Sequence, residues 1–449
     1  MDEPRDRREF LRLAAGAVAT GAVAACSSGS GQRETSVATR TKGSTGQTLR
    51  IAQFSHYIPA YDTWFDNEYT QRWGDEHGVE VLVDHVPFQH LRSRAEAEVA
   101  AGRGHDIFAL LTPPAGLADE VIDHRPLVEE VVGRVGPMTP LVERSVLNTK
   151  TGKYFAFPDF WGPNVTHYRN DVWTGPGPDS WEAVLGAAPG LKSAGHPVGL
   201  AFSPDHDSTM GFLSLMFAHG ATIQDESGTL AINRPATVEV VERAAALFAE
   251  GLTDDVLNWD AASDNRFLAS GKGSWILDPI SAMRATEQQD AALAGQIALA
   301  PVPAGPAARI GATALLNSYV VMKSSSNQEL AGQFLVDLAV GYREAFIHSE
   351  FYNLPAFAGA VGDIEALLAA DPATPARKYG VLAASAEWTT NIGHPGHDNA
   401  AVEEIFNRFL IPRMFTAAAT GELSAAEAVR AAEADMAPIY QKWRDLGRL

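Results

Sequence analysis

Two carboxylates and an imidazole fall within three residues at Asp205-His206-Asp207, between Ser203-Pro204 and Ser208. Gathered in one loop, such groups suit recognition of a polyol, whose hydroxyls both donate and accept hydrogen bonds. Two other readings stand beside this one. Asp207 or Ser208 could cap the helix that follows, and Asp205, His206 and Asp207 could ligate a metal, although adjacent side chains rarely converge on one ion. Trp161, between Pro158 and Gly162-Pro163, is a large ring in an apparent turn with little helix or sheet to pack into. That favours stacking on the apolar face of a ligand. Asp159 beside it could accept hydroxyl bonds or cap a strand end. Asp278 closes the strand-like run Trp275-Ile276-Leu277 and is a candidate ligand contact, whereas Trp275, Trp259 and Trp388 also read as core. His394 and His397 are three apart, but Pro395 and Gly396 between them argue against a helical metal pair and leave His397 as a loop contact to solute. His56 and Tyr57 stand where a first apolar strand ends, as ligand contacts or as part of an exposed loop.

No catalytic residue emerges from these groups. The chain has no nucleophile elbow, no HExxH and no phosphate-cradling glycine loop. Its single cysteine, Cys26, excludes a disulfide within the chain and a Cys-ligated iron–sulfur cluster, and no dinucleotide fingerprint follows a strand. No cofactor and no metal are expected. A formal charge of −20 over 449 residues repels phosphate backbones and excludes nucleic acid as a partner. An exported glycosidase built on two carboxylates is the enzyme alternative.

The elements that must position these groups follow from periodicity. Leu49–Phe54, Val79–Val86 and Asp106–Leu111 read as strands, separated by helices over Ala60–His77 and Leu91–Ala101. Strand, helix, strand, helix, strand implies a parallel sheet with helices on its faces. Ser326-Asn327-Gln328-Glu329 and Ser424-Ala425-Ala426-Glu427 fit capping boxes, and Pro178-Asp179-Ser180 opens a helix at Trp181. The pattern breaks at Asp159–Asn164 and resumes at Val165–Tyr168, as a chain crossing between two lobes would.

The first 25 residues carry paired arginines, Arg7 and Arg8, before Phe10-Leu11 and a short apolar run that ends in Val23-Ala24-Ala25-Cys26. The run is too short to span a bilayer, which needs about 20 residues. It resembles a twin-arginine export signal ending in a lipobox, with Cys26 as the lipidated residue. Ser27–Gln47, rich in Ser, Thr and Gly, reads as a flexible tether. The expected address is the extracytoplasmic face of a bacterial cell membrane, held by lipid.

From Leu49 onward, motifs in sequence resemble the family 1 extracellular solute-binding proteins, the receptors of carbohydrate importers of the maltose-binding type. They are Gly104-His105-Asp106-Ile107-Phe108, Gly152–Pro158 followed by Tyr168-Arg169-Asn170, Pro178–Glu182, Phe267–Ser274, Ala300-Pro301-Val302-Pro303 and Asn327–Leu335. The resemblance implies an α/β, two-lobed periplasmic-binding-protein-like fold of type II, with ligand in the cleft between lobes. It implies a signal peptide over 1–25, a lipidated Cys and linker over 26–47, one lobe from 48–160 plus 316–352, and the other from 161–315 plus 353–449. Crossings are expected near Phe160, Ala314–Ser318 and Asn353–Pro355. By position in the family, the loops at His56-Tyr57 and Thr112 and the segment at Asp278 face the ligand. The set of expected contacts is therefore His56, Tyr57, Thr112, Asp159, Trp161, Asp205, Asp207, Asp278 and His397. The implied function is capture of a sugar or oligosaccharide by a monomer and its delivery to ABC transporter permease subunits. A polyamine or glycerophosphodiester ligand on the same fold is the alternative.

Overall fold

Apolar runs such as Ile107–Leu110 and the alternating Glu80–His85 form strands of the sheet that positions the site. The computed structural model describes residues 35–38, 46–173 and 177–449. Arg7, Arg8 and Cys26, with the export and lipidation readings, lie outside the described residues. Eleven strands are described: β1 (Thr35–Ala38), β2 (Thr48–Gln53), β3 (Glu80–His85), β4 (Ile107–Leu110), β5 (Phe157–Pro163), β6 (Val165–Arg169), β7 (Trp275–Asp278), β8 (Ile297–Ala300), β9 (Gly311–Val321), β10 (Leu354–Pro355) and β11 (Thr389–Thr390).

β3, β2 and β4 are parallel neighbours, as the alternation of strand and helix predicts. The helix expected over Ala60–His77 is present but changes pitch: Pro59–Trp64 and Thr70–His77 are α-helical, and Phe65–Tyr69 between them is a π-helical turn. β9 runs antiparallel between β4 and β5, and β10 closes on β5, giving one large sheet in the order β1-β3-β2-β4-β9-β5-β10. A second, antiparallel sheet has the order β7-β6-β8. A single residue, Asn164, links β5 of the large sheet to β6 of the small one.

Two apolar cores accompany these sheets. The first holds Ile51, Val83, Phe108, Phe157, Tyr319 and Phe334; the second holds Trp181, Phe212, Val240, Ile405 and Phe415. Alternation along β7 splits the small sheet between them, because Trp275 and Leu277 join the second core and Ile276 the first. In the second core Phe212 and Phe415 stack 4.1 Å apart, and Trp181 meets Trp275 edge-on at 5.8 Å. Along β9, Ala312 and Ala314 pack in the second core and Leu315, Leu316 and Tyr319 in the first. Tyr352, Leu354, Leu368, Tyr379 and Leu382 pack in the first core, which also takes Ile276, Met283 and Ile297, and Trp388 packs in the second.

Of three local expectations, two are corrected. Thr35–Ala38, inside the stretch read as a tether, pairs with β3 as an antiparallel edge strand, which its Thr and Val favour. The helix Gln328–Val340 forms without the expected capping box, because its N-cap is Asn327 rather than Ser326 and the Asn327 side chain turns away, Nδ2 donating to the Thr48 carbonyl at 3.0 Å and to Asp106 at 3.2 Å and Oδ1 accepting from Gln47 at 3.3 Å. The second box does form: Ser424 Oγ accepts from the Glu427 N–H, and Glu427 accepts from the Ser424 N–H.

Candidate functional site

Between the two sheets lies a cavity with about 470 Å³ of empty space, counted to its open mouth. Elements from both sheets wall it. Tyr57 follows β2, Leu111 and Thr112 follow β4, and Asp278 and Pro279 end β7. Ala314 and Leu315 come from β9, and Tyr352 precedes β10. The helices His206–Ala218 and Ala400–Asn407 supply His206, Asp207, Met210 and Phe406, and Phe88 enters at the start of Phe88–Ala101.

Local chemistry explains how the carboxylates arrive here. Asp205 is the N-cap of the helix His206–Ala218, accepting from the Asp207 N–H at 3.1 Å. The capping role considered for Asp207 or Ser208 thus falls to Asp205, and Asp207 sits in the first turn, where the helix dipole favours an anion. Asp264 occupies the first turn of the helix Ser263–Ala269. Oxygen atoms of Asp207, Asp264 and Asp278 lie within 4.8 Å of one another. This trio, rather than Asp205-His206-Asp207, is the convergent acidic group among the described residues.

Burial, reinforced by the Asp264 and Asp207 charges, pushes the Asp278 carboxyl well above the usual range. Burial and the Asp264 and Asp205 charges do the same for Asp207. Asp264 is raised to about 6, mainly by burial. The hydroxyls of Tyr57 and Tyr352 are pushed up first by burial and then by neighbours that include Asp207 and Asp278. His206 is lowered to about 4 by burial, so it stands neutral at pH 7.

Of the nine residues singled out in the sequence, Tyr57, Thr112, Asp207 and Asp278 line this cavity, and Asp205 lines the depression beside it with Phe88, Thr112 and His206. His56 stands behind the wall. Its Nδ1 accepts from the Ile58 N–H at 2.9 Å, leaving Nε2 to donate to Asn353 Oδ1 at 2.9 Å, and its ring meets Tyr352 edge-on at 5.2 Å. Burial lowers it to about 4, so it props the tyrosine as a neutral ring.

Trp161 is not on the cavity. It is 3 % exposed inside β5, with its indole N–H donating to the Pro355 carbonyl at 3.3 Å. The proline and glycine that suggested a turn instead flank register shifts in the pairing of β5 with β9, so the strand continues through them. Asp159 is likewise internal: Oδ1 accepts from Asn317 Nδ2 at 2.8 Å, and Oδ2 has no partner. His397 belongs to a different depression, of about 1090 Å³, with Asn148, Lys150, Glu226 and Arg448.

Sequence reasoning missed Phe88, Tyr352, Phe406 and Asp264. Phe406 lies among the buried apolar residues of a helix and reads as core, and Asp264 reads as an ordinary first-turn acid. Only tertiary convergence brings them to one place.

Burial raises Asp159 from 3.8 to about 7, against the lowering effect of its Asn317 bond. A raised value means that its stabilisation is complete below about pH 4 and is lost as the pH climbs through 7. That span corresponds to on the order of 4 kcal/mol. Asp159→Asn keeps the amide contact and removes the charge. The difference between wild-type and variant unfolding free energies should therefore shrink as the pH falls from 8 to 4. Denaturant titrations at each pH would show this, and parallel profiles would contradict it.

A cavity walled by elements of two sheets is the architecture of a two-lobed binding fold. The chain belongs to the bacterial extracellular solute-binding protein family, whose model matches residues 59–337. A candidate binding protein of Brucella abortus (strain 2308) is 22 % identical over 273 residues, 58 % of this chain; the match spans 64 % of that relative's length. A sugar transporter from Arthrobacter chlorophenolicus, solved with bound laminaribiose, superposes with a TM-score of 0.74 at 16 % identity, covering 87 % of this chain and 99 % of that one. A maltose-bound protein of T. maritima gives 0.71 at 18 % identity, over 87 % and 99 %. The two-lobed α/β fold implied by the sequence motifs is the fold found. The family is one of binding proteins rather than enzymes.

Proposed function

We propose that this chain captures a sugar or short oligosaccharide in the cavity between its sheets and delivers it to the permease subunits of an ABC importer. In this reading it is exported through the Arg7-Arg8 signal, held at the extracytoplasmic membrane face by lipid on Cys26, and works as a monomer. The observation that carries the proposal is the cavity wall itself. Aromatic rings of Tyr57, Phe88, Tyr352 and Phe406 offer an apolar face for sugar C–H groups, and Asp207, Asp278 and Thr112 offer acceptors for hydroxyls. Contributions from both sheets mean that closing the cleft would complete the site. A phosphodiester ligand is disfavoured, because no Lys or Arg lines this cavity among the described residues. Arg169 is paired with Asp171, and Arg266 with Asp260.

Thermal-shift screening of sugars and polyols tests the proposal. A ligand at one hundred times its Kd should add about 2.7 kcal/mol of stability and raise the melting temperature. Absence of a shift with every carbohydrate, or hydrolysis of any glycoside, would overturn it.

A further inference from the structure

Asp207 and Asp278 line the cavity, and the buried Asp264 brings a third carboxylate within 4.8 Å of both, with no cation among the charges that act on the three. The charges that act on these three groups are all carboxylates. Arg266, two residues from Asp264, is turned to Asp260 at 2.6 Å and Ser263 at 2.7 Å. Asp278 is 4 % exposed, lines the cavity and keeps Oδ2 without a hydrogen-bond partner. A buried, unpaired acceptor of this kind costs free energy unless a ligand satisfies it. Asp264 and Asp278 share a hydrogen bond, and a neutral sugar hydroxyl would satisfy the remaining oxygen without supplying the positive charge that lets all three acids ionise.

From this arrangement we infer that the ligand of the cavity carries a protonated amine, held by Asp207, Asp264 and Asp278 in the cavity that Tyr57 and Tyr352 also line. The inference rests on the proposed receptor reading and makes its solute a cationic carbohydrate of the amino-sugar class. Geometry and wall chemistry agree. Oxygens about 2.8 Å from a tetrahedral nitrogen stand about 4.6 Å apart, a spacing that the trio accommodates. Aromatic faces attract an organic cation. A divalent metal ion such as calcium would need six to eight oxygen ligands, and beyond the acids this wall offers mainly ring and aliphatic carbon. Burial and mutual repulsion, which lift the Asp207 and Asp278 carboxyls, are penalties that an arriving cation relieves.

The test is calorimetric titration of the purified chain, in chelator at pH 7, with three sets of probes. These are glucosamine and chitosan oligomers, their neutral counterparts glucose, N-acetylglucosamine and cellobiose, and the polyamines putrescine and spermidine. Amine-bearing sugars should bind at least about tenfold tighter than their neutral counterparts. Asp278→Asn should erase that preference, and Asp264→Asn should do so independently if the first variant folds poorly. Binding of neutral sugars alone would overturn the inference and leave the carbohydrate receptor standing. Binding of polyamines alone would uphold the amine site and overturn the carbohydrate. No response to any amine, or saturable binding of calcium alone after the chelator is removed, would overturn the inference.

Discussion

Alanine in place of Arg284 should cost the folded protein about 3–5 kcal/mol, the usual cost of leaving a buried charge without its partner. Arg284 projects from the helix Ser281–Gln289, which begins three residues after Asp278, and its side chain is 8 % exposed. The guanidinium pairs with Asp371 at 2.7 Å and Glu287 at 3.1 Å, donates to the Glu350 carbonyl at 3.0 Å, and lies 3.7 Å from the Tyr379 ring centroid. Removing it strands Asp371, which is equally buried, and opens space beside Tyr379 and Phe351. Arg284→Lys should recover little, because a point charge cannot hold two carboxylates and a carbonyl while lying flat on a ring. Equilibrium denaturation measures both variants. A loss below about 1 kcal/mol for the alanine variant would mean that this network is not what ties the helix to residues 350–379.

Asparagine in place of Asp278 should shift stability the other way. Relieving a buried carboxylate of its unpaired oxygen and of repulsion from Asp264 and Asp207 should stabilise the ligand-free protein by about 1–3 kcal/mol at pH 8. Because the folded-state value is raised, the wild-type penalty is present at high pH, shrinks as the pH falls through the folded value, and is gone below about 3.8. The gain should therefore be largest at pH 8 and absent near pH 3.5. A functional site that destabilises its own empty state is a common cost of binding. Thermal unfolding of the empty protein across this range checks the sign. An Asp278→Asn variant less stable than wild type at pH 8 would mean that the carboxylate is structural.

Much of the framework was legible because it is written locally. The alternation in β3 and the fully apolar run of β4 announce strands wherever they pack, and the intervening helices force the parallel order. Tyr57, Thr112 and Asp278 line the cavity because they follow or end strands that reach it, and Asp207 because its loop opens a helix beside it. The misplacement of Trp161 has a definite cause. Pro158, Gly162 and Pro163 mimic a turn, yet β5 absorbs them as irregularities against the eleven-residue β9. The bonds that hold the segment after Tyr352 were equally hidden: Arg284 donates to Asp371, Lys378 to the Ala294 carbonyl and Tyr379 to Glu287, across 84 to 92 positions, which no local pattern reveals. Asp264 was missed for the same reason: its proximity to Asp278 exists only in the fold.

The solute site proposed here is the cavity that Tyr57, Tyr352, Asp207 and Asp278 line. Titration calorimetry of the best ligand from the thermal-shift screen against wild type and the Tyr57→Ala/Tyr352→Ala double variant tests it most directly. Wild type should bind one molecule per chain in a saturable manner. The double variant, folded by circular dichroism, should lose at least about tenfold in affinity, as expected when two stacking rings are removed. Unchanged affinity in the double variant would contradict the claim and move the site elsewhere.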